Sequence, residues 1–209
     1  MELKIEAQAR GVRIITGELA QQRRQLLNNL IEMAKTEGFQ EIILPSVEPV
    51  KIYVAKAGRE ILKQMYVFAD KKARPLCLRP EGTATVQLIA DKHFRRGQEI
   101  RLWYFERCWR YETPQEGRYR EFFQFGLEVI NPKSVEIRDQ LIALAEKMVA
   151  LKTKDYVVAR SVKRGLDYYT GDGFEISVPK LGAQKQIVGG GAYRQGIGCA
   201  VGFDRLMLC

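Results

Sequence analysis

Along residues 18–37, ELAQQRRQLLNNLIEMAKTE, apolar side chains fall at Leu19, Leu26, Leu27, Leu30, Ile31 and Ala34. That is the three-and-four spacing of an amphipathic helix, and Gly38 stands where a C-terminal cap belongs. The period then shortens. FQEIILP predicts a strand stopped by Pro45, and QMYVFAD with PLCLRPE predicts two more strands about a basic turn. Residues 82–96 read as a helix, and 134–151 as a second amphipathic helix with Ser134 as its candidate cap. DYVVAR, GFEISV and KQIVGGG predict later strands, and GFDRLMLC opens a further helix. Strands joined by hairpins, with helices gathered between them, predict an α+β protein: an antiparallel sheet flanked by helices.

Between the two long helices lies RYETPQEGRYREFFQFGLEV, residues 110–129. Alternate residues of a strand share a face, so Phe123, Phe125, Leu127 and Val129 join Trp103, Phe105, Trp109 and Tyr111 on an apolar side. Phe122, Gln124, Gly126 and Glu128 share the other side with Tyr104, Glu106, Cys108, Arg110 and Glu112. With Gly117 near the loop centre, Arg110 falls opposite Gln124 and Cys108 opposite Gly126. This polar side has two readings. It is a solvated sheet face with cross-strand ion pairs, or a site where a planar ligand lies on Phe122 and Gly126 while Arg118 and Arg120 close over an anion.

Composition narrows the classes. A chain of 209 residues, 46% hydrophobic and 28% charged, is that of an ordinary globular protein, with one domain as the default. Its formal charge of +9 favours a polyanionic partner, and the cations are dispersed in DKKAR, HFRRG, EGRYR and SVKRG rather than gathered in a tail. No apolar run approaches the ~20 residues that span a bilayer, and MELKIEAQARGVR is not a signal peptide, so the expected location is the cytoplasm. Cys77, Cys108, Cys199 and Cys209 lie too far apart for a zinc pattern, and His93 is the single histidine. Neither a structural zinc site nor histidine-based catalysis is expected.

Several of these stretches resemble class II aminoacyl-tRNA synthetases and, within them, the histidyl-tRNA synthetase family. FERCWRYETPQEGRYREFFQFGLEV is similar to motif 2, GIGCAVGFDRLML to motif 3, and GFQEIILPSVE to motif 1. LRPEGTA and KRGLDYYTG resemble the family's histidine-recognition segments. The resemblance runs from about Arg10 to the last residue. It implies a class II synthetase-type sheet and ATP-dependent activation of histidine to the adenylate, with transfer to the 3′ end of tRNA. ATP with Mg2+ is the implied cofactor, and a homodimer built through motif 1 the implied assembly.

Residue by residue, the resemblance places Arg110 on the α-phosphate, Glu112 and Arg118 at the nucleotide end, Phe122 against adenine and Arg205 on the γ-phosphate. Arg164 is the arginine that contacts the α-phosphate in this family and stands with Arg110 as catalytic. Glu81, Thr83, Gln124, Glu128 and Tyr169 grip histidine, with Tyr168 and Tyr193 nearby. Tyr168 and Tyr169 cannot both enter one pocket if extended, so one of them is expected in the core. Where the family carries GGRYDGL this chain has GGGAYRQGI, with Ala192 and Arg194 in place of Arg and Asp, which bears on the histidine-side wall. Only a short helix and strand separate Val129 from Arg164, and nothing resembling an anticodon-binding domain follows. The expectation is one bare catalytic core over residues 1–209, without an inserted domain. Two other functions share much of this pattern: a non-catalytic, histidine-sensing regulatory subunit of ATP phosphoribosyltransferase, and a ligase that loads an amino acid onto a non-tRNA carrier.

Overall fold

The structure is a computed structural model, and it describes residues 9–57, 59–94, 97–163 and 168–209. The first helix, α1 (Gly17–Thr36), buries Leu26, Leu27, Leu30 and Ala34. It ends as its sequence predicts: Gly38 N donates to Lys35 O at 2.9 Å and Phe39 N to Ala34 O at 3.0 Å, the paired bonds of a Schellman cap. Each leucine so buried contributes roughly 1.5–3 kcal/mol, which fixes the helix against the sheet behind it.

The strand expected over 39–45 is shorter than its apolar run suggests. Only β1 (Gln40–Glu41) is strand, and it lies parallel to β5 (Ile100–Trp109). Beyond it the backbone leaves the ladder, because Leu44 N turns to the Glu106 side chain at 2.7 Å. Next come β2 (Val47–Pro49), α2 (Val50–Ala57), a 3-10 turn (Arg59–Gln64), β3 (Val67–Ala69) and β4 (Pro75–Leu78), of which β2, β4 and β3 form a small antiparallel sheet. Neither β2 nor α2 was apparent from periodicity, since both are too short to show one.

After α3 (Thr83–His93) and β5 come β6 (Glu121–Ile130), α4 (Ile137–Ala150), β7 (Val157–Val162), β8 (Gly173–Ser177), β9 (Gln186–Tyr193), β10 (Gly196–Gly202) and α5 (Phe203–Leu206). Ser134 caps a turn rather than the helix itself: its Oγ accepts Glu136 N at 3.2 Å, and α4 begins only at Ile137. The main sheet has seven strands in the order β1-β5-β6-β10-β9-β8-β7, antiparallel except at the β1 edge. The α+β architecture is therefore as expected, with one parallel pair added. α1 and α4 cover one face over a core that includes Trp103, Phe125, Leu127, Ile142, Met148, Phe174 and Val201. α2 and α3 pack toward the other face over a second core around Tyr53, Ile61, Cys77, Leu102 and Tyr104.

Candidate active site

The 110–129 hairpin pairs Cys108 with Phe122, Glu106 with Gln124 and Tyr104 with Gly126. Cys108 thus meets the residue four before the one expected. The cause lies in the loop, whose arms bond to distant partners: Tyr111 N donates to Gln64 O at 2.6 Å and Arg120 N to Gly11 O at 2.8 Å. The tight turn at Gln115–Arg118 is therefore off-centre. An offset of four keeps every side chain on its predicted face, since the pleat repeats every two residues.

That polar face continues across the sheet through Gly202, Ala200 and Gly198 of β10, Gly189 and Gly191 of β9 and Glu175 of β8. Small side chains there leave a trough, while the opposite face carries the apolar residues of the first core. The result is a cleft of about 470 Å³. Of the residues expected to form the site, Glu81, Thr83, Arg110, Glu112, Arg118, Phe122, Gln124, Tyr168, Tyr169 and Arg205 all line it. Both tyrosines of the pair enter, with ring centroids 4.6 Å apart. Tyr168 is also the ring of the pair that goes to the core: it is buried in the second core, while Tyr169 is partly buried against it. Arg164 lies outside the described residues, as do Arg95 and Arg96.

Gly126 is a correction. The space left by its missing side chain belongs to Tyr104 rather than to a ligand, because a Cβ there would come within 2.0 Å of the Tyr104 Cζ. Glu128 and Tyr193 are buried and are not among the residues that line the cleft. Glu128 is fully buried, accepting hydrogen bonds from the Thr83 hydroxyl at 2.6 Å and the Tyr193 hydroxyl at 2.8 Å. Burial pushes its carboxyl up to about 8, against the lowering effect of these two bonds.

At this end of the cleft Glu81 caps α3, its oxygens accepting Thr83 N at 2.8 Å and Ala84 N at 2.9 Å. Burial raises its carboxyl, while these amides and the nearby Arg110 charge favour the ionised form. The segment is anchored from behind by Arg79, the arginine of LRPEGTA. Its fully buried guanidinium donates to Pro45 O (2.6 Å), Glu106 Oε2 (2.6 Å) and Arg107 O (2.9 Å). An arginine inside the apolar run PLCLRP was the available signal, since a charge placed there requires a buried partner.

The other end is cationic. Arg110 donates from Nε to Pro80 O at 2.9 Å, and its Cζ lies 5.4 Å from the centroid of the Phe122 ring. Arg118 pairs with Glu112. Arg205 is held by three bonds, to Gly117 O (2.7 Å), Gln186 O (2.9 Å) and Gln184 Oε1 (2.9 Å). Burial, then the charges of Arg110 and Arg118, pull Arg205 below the usual arginine value. The cleft also has Lys163, Glu175 and Asp204 on its lining, none of them assigned from sequence. Asp204 is taken up by Arg13, by Arg23 at 2.7 Å and by Phe123 N at 2.6 Å. Glu112 offsets only Arg118 and Asp204 is taken up by Arg13 and Arg23, so the charges of Arg110 and Arg205, which among the described residues bond only uncharged oxygens, remain for an anion. Among the described residues no group of three or more His, Cys, Asp or Glu could hold a metal ion. Those residues thus offer no all-protein cage for Mg2+. Arg194 is exposed in the β9–β10 turn and Ala192 packs against the first core, so neither departure from the family pattern faces the cleft.

The profile of the family described as histidyl-tRNA synthetase matches residues 11–160. A histidine–tRNA ligase of Archaeoglobus fulgidus is 27% identical over 310 aligned residues, covering 98% of this chain and 76% of that protein. One from Pyrococcus abyssi is 34% identical over 151 residues, 71% of this chain and 35% of that protein. Among solved structures, the apo histidyl-tRNA synthetase of S. aureus superposes with a TM-score of 0.79 at 26% identity, covering 98% of this chain and 70% of that one. A Bacillus halodurans protein described as an ATP phosphoribosyltransferase regulatory subunit/histidyl-tRNA synthetase shares the fold, with a TM-score of 0.82 at 17% identity, over 100% of this chain and 84% of that one.

Proposed function

This chain belongs to the histidyl-tRNA synthetase family, and from that premise we propose that it condenses histidine with ATP to histidyl-adenylate and passes the histidyl group to the 3′ end of a tRNA. The observation that carries the reading is one cleft with two unlike ends: a carboxylate fixed on the start of α3 and, beyond it, guanidinium groups beside an aromatic ring. Glu81, with Thr83 and Gln124, receives the α-ammonium group. Arg110, its Nε held by Pro80, presents its remaining edge to the α-phosphate, while Phe122 lies under adenine. Glu112 and Arg118 take the nucleotide end, and Arg205 takes the γ-phosphate once it exchanges its carbonyl partners for phosphate oxygens. Glu128 and Tyr193, from below, with Tyr168 and Tyr169 on the wall, shape the imidazole end. Arg164 follows Lys163 of the wall and is proposed as the second catalytic arginine.

The chemistry asks little of the protein beyond alignment. The histidine carboxylate attacks the α-phosphorus in line, the bond to the bridging oxygen breaks, and pyrophosphate leaves with the electron pair. Charge on the phosphate oxygens grows in the transition state, so fixed guanidiniums stabilise it more than the ground state. Mg2+ carried by the triphosphate oxygens, rather than by a protein cage, would add further neutralisation.

We also propose a homodimer. The small sheet turns Glu48 and Cys77 inward and carries Val47, Pro49, Leu76, Leu78 and Phe68 on its other face, with Val47 45% and Phe68 42% exposed and the neighbouring Ile43 81% exposed. A twofold contact would cover that face. No helix among the described residues is long and apolar enough to cross a membrane. The alignment of 310 positions against a chain of 209 fits the reading of a core without an internal insert. The deciding experiment is amino-acid-dependent ATP–pyrophosphate exchange on a panel of amino acids. Exchange with histidine alone supports the proposal; histidine binding with no exchange favours the regulatory-subunit reading. Exchange without charging of tRNA or an acceptor minihelix points to a carrier ligase.

A further inference from the structure

The segment before α1 is built into the nucleotide end of the cleft. Gly11 O accepts the backbone N–H of Arg120 at 2.8 Å and that of Glu121 at 3.4 Å. Gly11 has φ +80°, and a Cβ there would lie 2.9 Å from both Arg120 Cγ and Pro114 Cγ, so this backbone is pressed against the loop between β5 and β6. Two residues on, Arg13 forms an ion pair with Asp204 of α5, and its Cζ lies 3.4 Å from the centroid of the Tyr119 ring. Tyr119, Phe123 and Asp204 all line the cleft. Three regions far apart in sequence therefore meet at one contact: the N-terminal segment, the loop and α5.

The contact is stronger than a surface ion pair. The Asp204 side chain is 4% exposed, and the guanidinium that reaches it is sandwiched against an aromatic face. Past Tyr111, which donates to Gln64 O at 2.6 Å and meets the Tyr66 ring edge-on, the loop has few other anchors. Its own bonds are the Gln115–Arg118 turn, the Arg118–Glu112 pair and Arg120 Nε to Glu112 O at 3.0 Å, none of which ties it to the rest of the fold. Beyond Tyr111, Gly117 through Arg205 and Gly11 with Arg13 join the loop to the body of the protein.

We propose that Arg13 is a positioning residue for the nucleotide. Together with Gly11 it splints the loop onto α5, and so sets where Glu112, Arg118 and Phe122 stand when ATP arrives. The inference rests on the nucleotide reading given above. It also makes the segment around Arg13 part of the ATP site's architecture although no atom of it need touch ATP.

Arg13→Ala leaves Asp204 bonded to Arg23 and Phe123 N, so the core contact survives and the variant is expected to fold. Amide hydrogen exchange over residues 112–120, measured without ligand, is expected to quicken about tenfold, the equivalent of one charge-assisted contact. Gly11→Ala should do the same from the other side, by driving its Cβ into Pro114 and Arg120. In pyrophosphate exchange, KM for ATP should rise about tenfold while KM for histidine stays within about twofold. Arg13→Lys, which keeps the charge but loses the flat stack on Tyr119, should recover part of the defect. Unchanged loop exchange in both variants overturns the splint, as does an equal rise in both KM values. If the parent protein shows no pyrophosphate exchange, the nucleotide reading fails separately and the amide measurement still decides the splint. Should Arg13→Ala not fold, Gly11→Ala and Arg13→Lys carry the same two measurements.

Discussion

Replacing Glu128 with Gln should remove a pH dependence from the stability of the whole fold. The side chain is fully buried, receives the Thr83 and Tyr193 hydroxyls, and has its carboxyl pushed up to about 8 against an ordinary 4.5. A group whose folded pKa is raised binds its proton more tightly when folded. Its stabilising contribution is therefore complete below the unfolded value and is lost as pH rises through the folded one. With 4.5 and about 8 as the two values, most of the loss available to experiment falls between about pH 6 and pH 9, where it amounts to about 2 to 3 kcal/mol. Gln is neutral throughout and keeps an acceptor for one hydroxyl and a donor toward the other, at a cost of about 1 kcal/mol for its extra buried N–H. Urea unfolding of parent and variant should therefore show the variant ahead by about 1 kcal/mol at about pH 6, where the unfolded carboxyl is already ionised, and by about 3 to 4 kcal/mol at about pH 9. Glu48 and Glu81 are also raised by burial and titrate in both proteins; Glu48 cancels in the difference, and Glu81 adds only the loss of its repulsion with Glu128, the smallest cause acting on that carboxyl. Parallel stability curves, with the same gap at both pH values, would refute the reasoning.

Arg110→Ala should lower pyrophosphate exchange by about two or more powers of ten with histidine affinity, read by calorimetry, nearly unchanged. Arg79→Leu leaves the partly buried Glu106 without its cation and Pro45 O and Arg107 O without their donor, and should cost about 3–5 kcal/mol in urea unfolding, whatever its effect on activity. Gly126→Ala puts a methyl 2.0 Å from Tyr104 Cζ and should lower Tm through a loss of about 1–3 kcal/mol or more. Phe68→Lys, on the open face of the small sheet, should shift the sedimentation coefficient toward the monomer; an unchanged value assigns the dimer contact elsewhere.

What could be read from sequence follows from period and what could not follows from distance. The hairpin's polar face was legible because Arg110, Phe122, Gln124 and Glu128 alternate with apolar neighbours, and that parity survives a wrong register. The register itself was hidden, since it depends on Gln64 and Gly11 taking bonds from Tyr111 and Arg120. LRPEGTA pointed to Glu81 and Thr83 by resemblance, yet the burial of Arg79 becomes visible only when Pro45 and Glu106 close around it. Gly126 looked like room for a ligand because Tyr104 lies on a different strand, and nothing local announces that its ring fills the gap. Asp204 sits beside Arg205 in the motif 3 stretch, but its partners Arg13 and Arg23 come from the opposite end of the chain.

The strand order also governs when the cleft can exist during folding. β5 with β6, and β9 with β10, are neighbours in sequence, and such hairpins close on the microsecond scale. The floor of the trough forms only where β6 meets β10, with Gln124 against Gly202 and Ile130 against Gly196, a junction that encloses α4, β7, β8 and β9 in one loop. β1 reaches β5 across a similar separation, joining Gln40 to Leu102. Long-range closures of this kind are the slow steps of assembly. A refolding chain therefore recovers much of its hairpin content while still unable to hold either substrate, and ligand-binding capacity is the last property to return.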